Sequence, residues 1–272
     1  MGHAIFILST GRCGTQWIAT QIAKAYGDVY TVEHEPLHSS YHSRKMIGGN
    51  SLDVLTPEEA QPIREHLARI EKCLERSNYL ECGHPCWGAL PFLAAHLKGA
   101  MRVIHLTRHP LPTALSWLTH GAFQKPILPH LKEKVLLTPF DEGVAYPEYR
   151  ATWNTLTPFE KCLYYWLEVN ALGIGERYNE RIGVPQLRLS YEALFSGTGL
   201  AQLLDFLGLP HDRMASACIA ERVDNFCYFT LEQPNFSALQ QHPTVLELAG
   251  KLGYEAGSEV DINTLMRRYM GC

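Results

Sequence analysis

The sequence lacks any long apolar run. The first apolar stretch, AIFIL at residues 4–8, is far shorter than the roughly twenty residues of a membrane-spanning helix, and Arg12 follows where a secretory leader would stay apolar. No membrane span and a cytoplasmic location are therefore expected. Charge of one sign is also missing: 24 Lys and Arg stand against 28 Asp and Glu, a formal net charge of −4, with no dense basic cluster. This balance argues against nucleic acid and anionic membrane surfaces as partners, while a few arginines can still gather around a small anion. Internal repeats and low-complexity segments are absent as well. The eight cysteines (13, 73, 82, 86, 162, 218, 227 and 272) are too scattered for a disulfide scaffold and suit reduced thiols. The tightest group, CGHPC at 82–86, has no second Cys or His pair at finger-like spacing, so buried thiols are favoured over a zinc half-site.

What is present fits one large α/β domain spanning residues 1–272, with 46% hydrophobic residues to fill its core. Short apolar strands are expected at 4–9, 78–82, 102–107 and 185–190. Helical patterns cover 15–26, 57–77, 88–97, 110–120, 158–180 and 199–207, with two further helices in the tail. This alternation predicts an open, mostly parallel sheet layered by helices. Thr56 and Pro57 mark a helix start followed by early acids and late bases, a solvated surface helix. The stretch 121–157 has several prolines and no clear period, which predicts a lid or substrate loop.

The chemistry concentrates in two segments. In ILSTGRCGTQW, a strand ending near Ser9 meets a helix starting near Thr15, so loop amides and the helix N-terminus converge on one spot suited to an anion. Arg12 adds a charge and Thr15 a hydroxyl. A loop for magnesium triphosphates would carry Lys and then Ser or Thr after its second glycine; Gly14 is followed instead by Thr15, Gln16 and Trp17. Trp17 offers either a flat face to a purine or a ring for the core. In RVIHLTRHPLPTALSW (102–117), a buried strand delivers Arg108 to its carboxyl end and the following helix carries Ser116. Ligands of open α/β sheets gather at that edge, so an Arg and Ser there are placed to clamp a second phosphate.

These two segments resemble the nucleotide motifs of sulfotransferases that use 3'-phosphoadenosine 5'-phosphosulfate (PAPS). A third stretch, LRLSYEALFSG followed by LAQLLDFLGLP (187–210), is similar to the strand, Tyr-Glu and FLGLP segment of that family. The resemblance implies a three-layer α/β/α fold of the P-loop NTPase type with a central, mostly parallel sheet, and sulfuryl transfer from PAPS that leaves 3',5'-ADP and requires no metal. By position, it implies that Arg12, Cys13, Gly14, Thr15 and Gln16 surround the 5'-phosphosulfate. Trp17 would stack on adenine, Arg108 and Ser116 would hold the 3'-phosphate, and Tyr191 would reach the adenine edge. Two departures stand out: RHP replaces the family's RDP or RNP, and no RKG element lies near the C-terminus, which leaves further 3'-phosphate ligands unassigned.

Sulfuryl transfer also needs a base for the acceptor's proton. His84, at the end of an expected strand, and Glu35, in VEHEPLHSSY, are the candidates, with Glu35 slightly preferred and His34 and His38 beside it. Either is equally readable as structural: His84 as a hydrogen-bonded turn residue, Glu35 as a solvated loop acid. The segments 33–52 and 121–157 are expected to shape the acceptor pocket. Their aromatics and histidines, without a dense basic patch, favour a small-molecule or sugar hydroxyl or amine over a polyanionic glycan. The competing readings are a nucleotide-dependent kinase or phosphotransferase on the same scaffold and a non-catalytic 3',5'-ADP-binding protein. Oligomeric state, a homodimer included, is left open.

Overall fold

The computed structural model describes residues 2–124, 135–175, 182–214, 234–254 and 260–270. Strand β1 (Ala4–Leu8) is buried along its whole length and lies in the middle of a five-stranded, all-parallel sheet. Its neighbours are β3 (Asn78–Cys82) and β4 (Met101–Thr107); β2 (Tyr30–His34) and β5 (Gln186–Ser190) form the edges, in the order β2-β3-β1-β4-β5. Strand side chains alternate between faces, and β1 divides accordingly. Ala4, Phe6 and Leu8 enter one apolar cluster, while Ile5 and Ile7 enter the other.

The first cluster is filled by helices α2 (Pro57–Leu74), α3 (Leu90–Leu97), α4 (Pro110–Leu118) and α5 (Pro158–Ile174), joined by α8 (Pro243–Lys251). The second is filled by α1 (Thr15–Tyr26), α6 (Tyr191–Ser196) and α7 (Thr198–Leu207). A last helix, α9 (Ile262–Met270), follows. The result is the three-layer α/β/α arrangement expected from the alternation of strand and helix signals. Thr56 forms a full capping box with Glu59 at the start of α2, and Thr157 does the same with Glu160 at α5.

One strand was absent from the expected set. YTVEH, which forms β2, has no continuous apolar run because it is an edge strand bonded only to β3. Helix α5 ends at Ile174, short of the expected 180, and residues 176–181 lie outside the described set. Within 121–157, residues 125–134 also lie outside it. The part from 135 onward is fastened to the core. The buried Glu168 carboxylate accepts from the Ala145 and Tyr146 amides at 2.9 and 2.8 Å, and Asp141 pairs with Arg44 and accepts from the Thr138 amide. Cys82 and Cys86 are buried free thiols.

His105 sits in the middle of β4, enclosed by the core, with Nε2 at 3.2 Å from Asn170 Oδ1. Gly173 makes room for it; a Cβ there would come within 2.3 Å of the ring. Burial lowers the pKa of His105 from 6.5 to about 4. Between those values the unfolded chain binds a proton that the folded protein refuses, so the stability contribution is complete above pH 6.5 and is lost as pH falls toward 4. The linkage amounts to about 3 kcal/mol. Urea unfolding at pH 7 and pH 4.5 should show this decline in the wild type and a flatter profile in His105→Gln; identical slopes in the two proteins would refute the assignment.

Candidate active site

The parallel sheet brings distant residues to one edge. Each strand ends at the same side of the sheet, and each is followed within a few residues by a polar side chain. Arg12 follows β1, Glu35 follows β2, His84 follows β3, Arg108 follows β4 and Tyr191 follows β5. Crevices at the carboxyl ends of open α/β sheets are where ligands bind, because helix N-termini and loop amides face inward there.

The loop between β1 and α1 is a concave run of backbone. Gly11, Arg12 and Gly14 have left-handed φ angles of 74°, 59° and 87°. Left-handed residues within a turn direct successive N–H groups toward one point, a geometry that binds anions. Helix α1 opens after Gly14 with no side-chain cap on its first amides, and Ile18 N–H to Gly14 O, at 3.1 Å, is its first closing bond. The glycines are required by close contacts as well as by φ. A Cβ on Gly11 would lie 2.8 Å from His84 Cγ, and one on Gly14 would lie 2.9 Å from Phe195. Cys13 is turned inward: its Sγ donates to Gly11 O at 3.1 Å, and burial pushes the thiol up to about 11. Any contribution to a ligand from Cys13 comes through its backbone.

Arg12 and Ser116 come together, the Nε donating to Ser116 Oγ at 2.9 Å. Arg108 is buried, 4% exposed, beneath the same loop. One guanidinium nitrogen donates to Arg12 O at 2.7 Å, the other to Tyr269 Oη at 3.1 Å, and the plane lies 4.2 Å from the centre of the Tyr191 ring. Its Nε has no hydrogen-bond partner and no carboxylate pairs with it among the described residues. A buried cation without a counter-charge is expensive unless an anion arrives to meet it.

Glu35 and His84, considered as separate candidates from sequence, are hydrogen-bonded partners. His84 Nδ1 lies 2.8 Å from Glu35 Oε1, with His34 Nε2 at 4.0 Å and His38 Nε2 at 3.7 Å from the same carboxylate. Burial would raise the Glu35 carboxyl, but the His84 charge and hydrogen bond, helped by His34 and His38, outweigh it and hold the group at about 2. His84 Nε2 is buried with no hydrogen-bond partner among the described residues. The ring is held edge-on against Trp117, whose indole N–H donates to Thr10 O at 3.0 Å and so ties the pair to the anion loop.

Thr15 is also near this group, its hydroxyl 3.4 Å from His34 Nε2, while Gln16 is exposed at the start of α1. Trp17 is not placed for adenine stacking. It is 3% exposed and packs on Phe195 within the second apolar cluster, because it faces the sheet side of α1. Tyr191 lies between Phe195 and Arg108. The RHP departure has a local explanation: His109 is the N-cap of α4, and its Nδ1 accepts from the Leu111 amide at 3.2 Å, a task usually given to Asp or Asn. Three contributors escaped sequence reasoning. Tyr269 lies in no motif, Trp117 closes the second motif without a role assigned to it, and Gly83 stands unremarked within CGHPC. A Cβ on Gly83 would stand 2.6 Å from Glu35 Cγ, so this glycine is the seat on which the carboxylate rests.

No protein-family model matches the sequence, and no curated protein matches it. Solved structures do. The chain is similar to the sulfotransferase domain from the curacin biosynthetic pathway, with a TM-score of 0.51 and 16% identity over 94% of this chain and 99% of that one. Weaker likenesses are to the sulfotransferase from Alicyclobacillus acidocaldarius (TM-score 0.49, 15% identity, 98% and 100% covered) and the sulfotransferase domain of the Synechococcus PCC 7002 olefin synthase (0.44, 18%, 100% and 94%). The first likeness establishes a sulfotransferase-type fold, as the motifs implied.

Gly83→Ala should drive Glu35 away from His84 with little effect on the rest of the sheet. The expected result is a thermal stability within a few degrees of wild type and loss of the Glu35–His84 hydrogen bond, seen in NMR as changed chemical shifts of the His84 ring nitrogens at fixed pH. Wild-type His84 behaviour in that variant would remove Gly83 from the site.

Proposed function

We propose that the protein, with its sulfotransferase-type fold, transfers a sulfuryl group from PAPS to a hydroxyl or amine of a small-molecule or sugar acceptor. The observation that carries this reading is Arg108: a buried cation whose Nε has no hydrogen-bond partner and which has no carboxylate partner among the described residues, set against a glycine cradle at the carboxyl edge of the sheet. The residues present fit a nucleotide with two separated anionic groups. The uncapped start of α1, the loop amides and Arg12 suit the 5'-phosphosulfate; Arg108 and Ser116 suit the 3'-phosphate. Bound PAPS supplies the electrophilic sulfur and a phosphate leaving group.

The chain's own residues then have distinct tasks. Arg12 and the loop amides stabilise charge that grows on the leaving phosphate as its bridging oxygen parts from sulfur, which needs no metal ion. The acceptor oxygen or nitrogen forms the new bond to sulfur, and its proton passes to the Glu35–His84 pair. Glu35 Oε1 is engaged by His84 Nδ1, and a neutral imidazole whose Nδ1 is held by that carboxylate offers the Nε2 lone pair. His84 is therefore assigned as the base and Glu35 as the group that orients it, the reverse of the slight preference for Glu35 drawn from the sequence. His34 and His38 flank the carboxylate of the pair.

Calorimetry with 3',5'-ADP and with ATP and magnesium is the direct test. Binding of 3',5'-ADP without a need for magnesium is expected, and tight ATP binding with no response to 3',5'-ADP would overturn the proposal. Binding without transfer from labelled PAPS to any acceptor in a broad screen would point to a non-catalytic nucleotide-binding protein. With an acceptor in hand, Arg12→Ala should lower transfer by about a hundredfold or more while the fold survives. His84→Ala should cost more than Glu35→Gln, each with 3',5'-ADP affinity little changed; the opposite ranking would make Glu35 the base.

A further inference from the structure

We infer that Tyr41 is a positioning residue: its bond to the buried Glu81 carboxylate holds the strained turn from which Glu35 meets His84. The consequence for transfer rests on the sulfotransferase reading above; the placement of Glu35 does not.

The turn that follows β2 is costly to hold. Glu35, His38 and His42 have left-handed φ angles of 49°, 48° and 48°. A Cβ crowds the backbone in that region, so three such residues in one turn persist only where the surrounding contacts over-determine them. Such strain clusters at functional sites, and one of the strained residues is Glu35 itself. The backbone bonds within the turn are local: His38 N–H to Glu35 O, Ser40 N–H to Leu37 O and His42 N–H to Ser39 O. Local bonds shape a turn without fixing its place on the sheet. Glu35 N–H to Cys82 O, at 3.2 Å, fixes its start, and Ser43, bonded to Pro85 O and the Gly88 amide, fixes the chain beyond it. Residues 36–40, between these points, are partly or fully exposed.

Tyr41 supplies a side-chain tie from inside the turn. It is fully enclosed, at 0% exposure, and its hydroxyl donates to Glu81 Oε1 at 2.7 Å, across 40 residues. Glu81 stands on β3 immediately before Cys82, whose carbonyl takes the Glu35 amide, and just ahead of His84. One strand end therefore grips the turn and carries the imidazole, so the Tyr41 bond governs how Glu35 is presented to His84. The other Glu81 oxygen meets His66 Nε2 at 2.8 Å and accepts from Tyr79 at 3.1 Å, which holds the carboxylate in place for Tyr41. The His66 ring also packs edge-on against the Tyr41 ring. Burial and the neighbouring Glu81 charge push the Tyr41 phenol well up, so it keeps its proton and stays a donor. A phenylalanine would fill the same space and lose this tie.

The test compares wild type, Tyr41→Phe and Tyr79→Phe. Each variant removes a hydroxyl that donates to Glu81, but Tyr79 stands on β3, outside the turn. The readout is the NMR chemical shifts of the His84 ring nitrogens at fixed pH in the free protein. Tyr41→Phe should move them as the Glu35 bond weakens, and Tyr79→Phe should leave them at wild-type values, although both lower the melting temperature. Unchanged shifts in Tyr41→Phe, or equal changes in the two variants, would overturn the inference. Amide hydrogen exchange in the wild type serves if a variant does not fold: slow exchange at Glu35 and His38 is expected of a tied turn, and exchange as fast as in an open loop would overturn the placement. With an acceptor in hand, Tyr41→Phe should lower the transfer rate about tenfold or more with 3',5'-ADP affinity unchanged. Parallel losses of rate and affinity would make Tyr41 a packing residue and refute its positioning role. Failure of the wild type to bind 3',5'-ADP would overturn the functional reading alone, because the His84 shifts are read without a nucleotide.

Discussion

The guanidinium of Arg108 ties together three segments of chain at the carboxyl edge of the sheet. It donates to the carbonyl of Arg12 in the first loop, lies over the ring of Tyr191 after the last strand and reaches the phenol of Tyr269 in the terminal helix. Its own carbonyl accepts from the Trp166 indole at 2.8 Å, which anchors the backbone to α5. Burying an unpaired cation costs several kcal/mol, even after relaxation. The fold bears that cost at the sheet edge, where a structural arginine could have been paired with an acid. Among the described residues no acid meets this guanidinium, the feature on which the proposed anion site rests.

Around this centre, close approach matters more than chemical type. Gly11 lets the loop settle against His84, Gly14 lets Phe195 close on the start of α1, and Gly83 lets Glu35 lie against the end of β3. Each contact would be blocked by one methyl group. Trp117 then links the two halves of the site, with its ring against His84 and its N–H on the anion loop. The Glu35–His84 pair and the loop between β1 and α1 are consequently parts of one packed unit.

The electrostatics of the pair follow from the same packing. Glu35 is mostly enclosed, which by itself raises its pKa; His84, His34 and His38 together pull it below the usual carboxylate range. Beneath it, β2 and β3 are cross-linked by a second set of polar contacts that runs from the buried Glu81 to an exposed end at Arg69. Glu81 accepts from Tyr41 and Tyr79 and meets His66, while Glu33 accepts from Tyr79 and pairs with Arg69. Glu33 and Glu81 are register partners, so this network holds the two strands whose ends carry Glu35 and His84.

Much of the scaffold was legible from local pattern. The apolar run AIFIL, the cap at Thr56, the glycine loop and the RVIHLTR strand all report on neighbours within a few residues, which is the range over which sequence pattern and capping act. By itself the sequence determined the layered sheet, the anion loop and the arrival of Arg12, Arg108 and Ser116 at one edge. It could not reveal β2, whose edge position removes the apolar signal, nor decide whether Trp17 faced a purine or the core. The tertiary structure alone decided that Glu35 meets His84 across 49 residues and that Tyr269 meets Arg108 across 161, because both contacts depend on strand order and helix docking and leave no trace in the residues on either side.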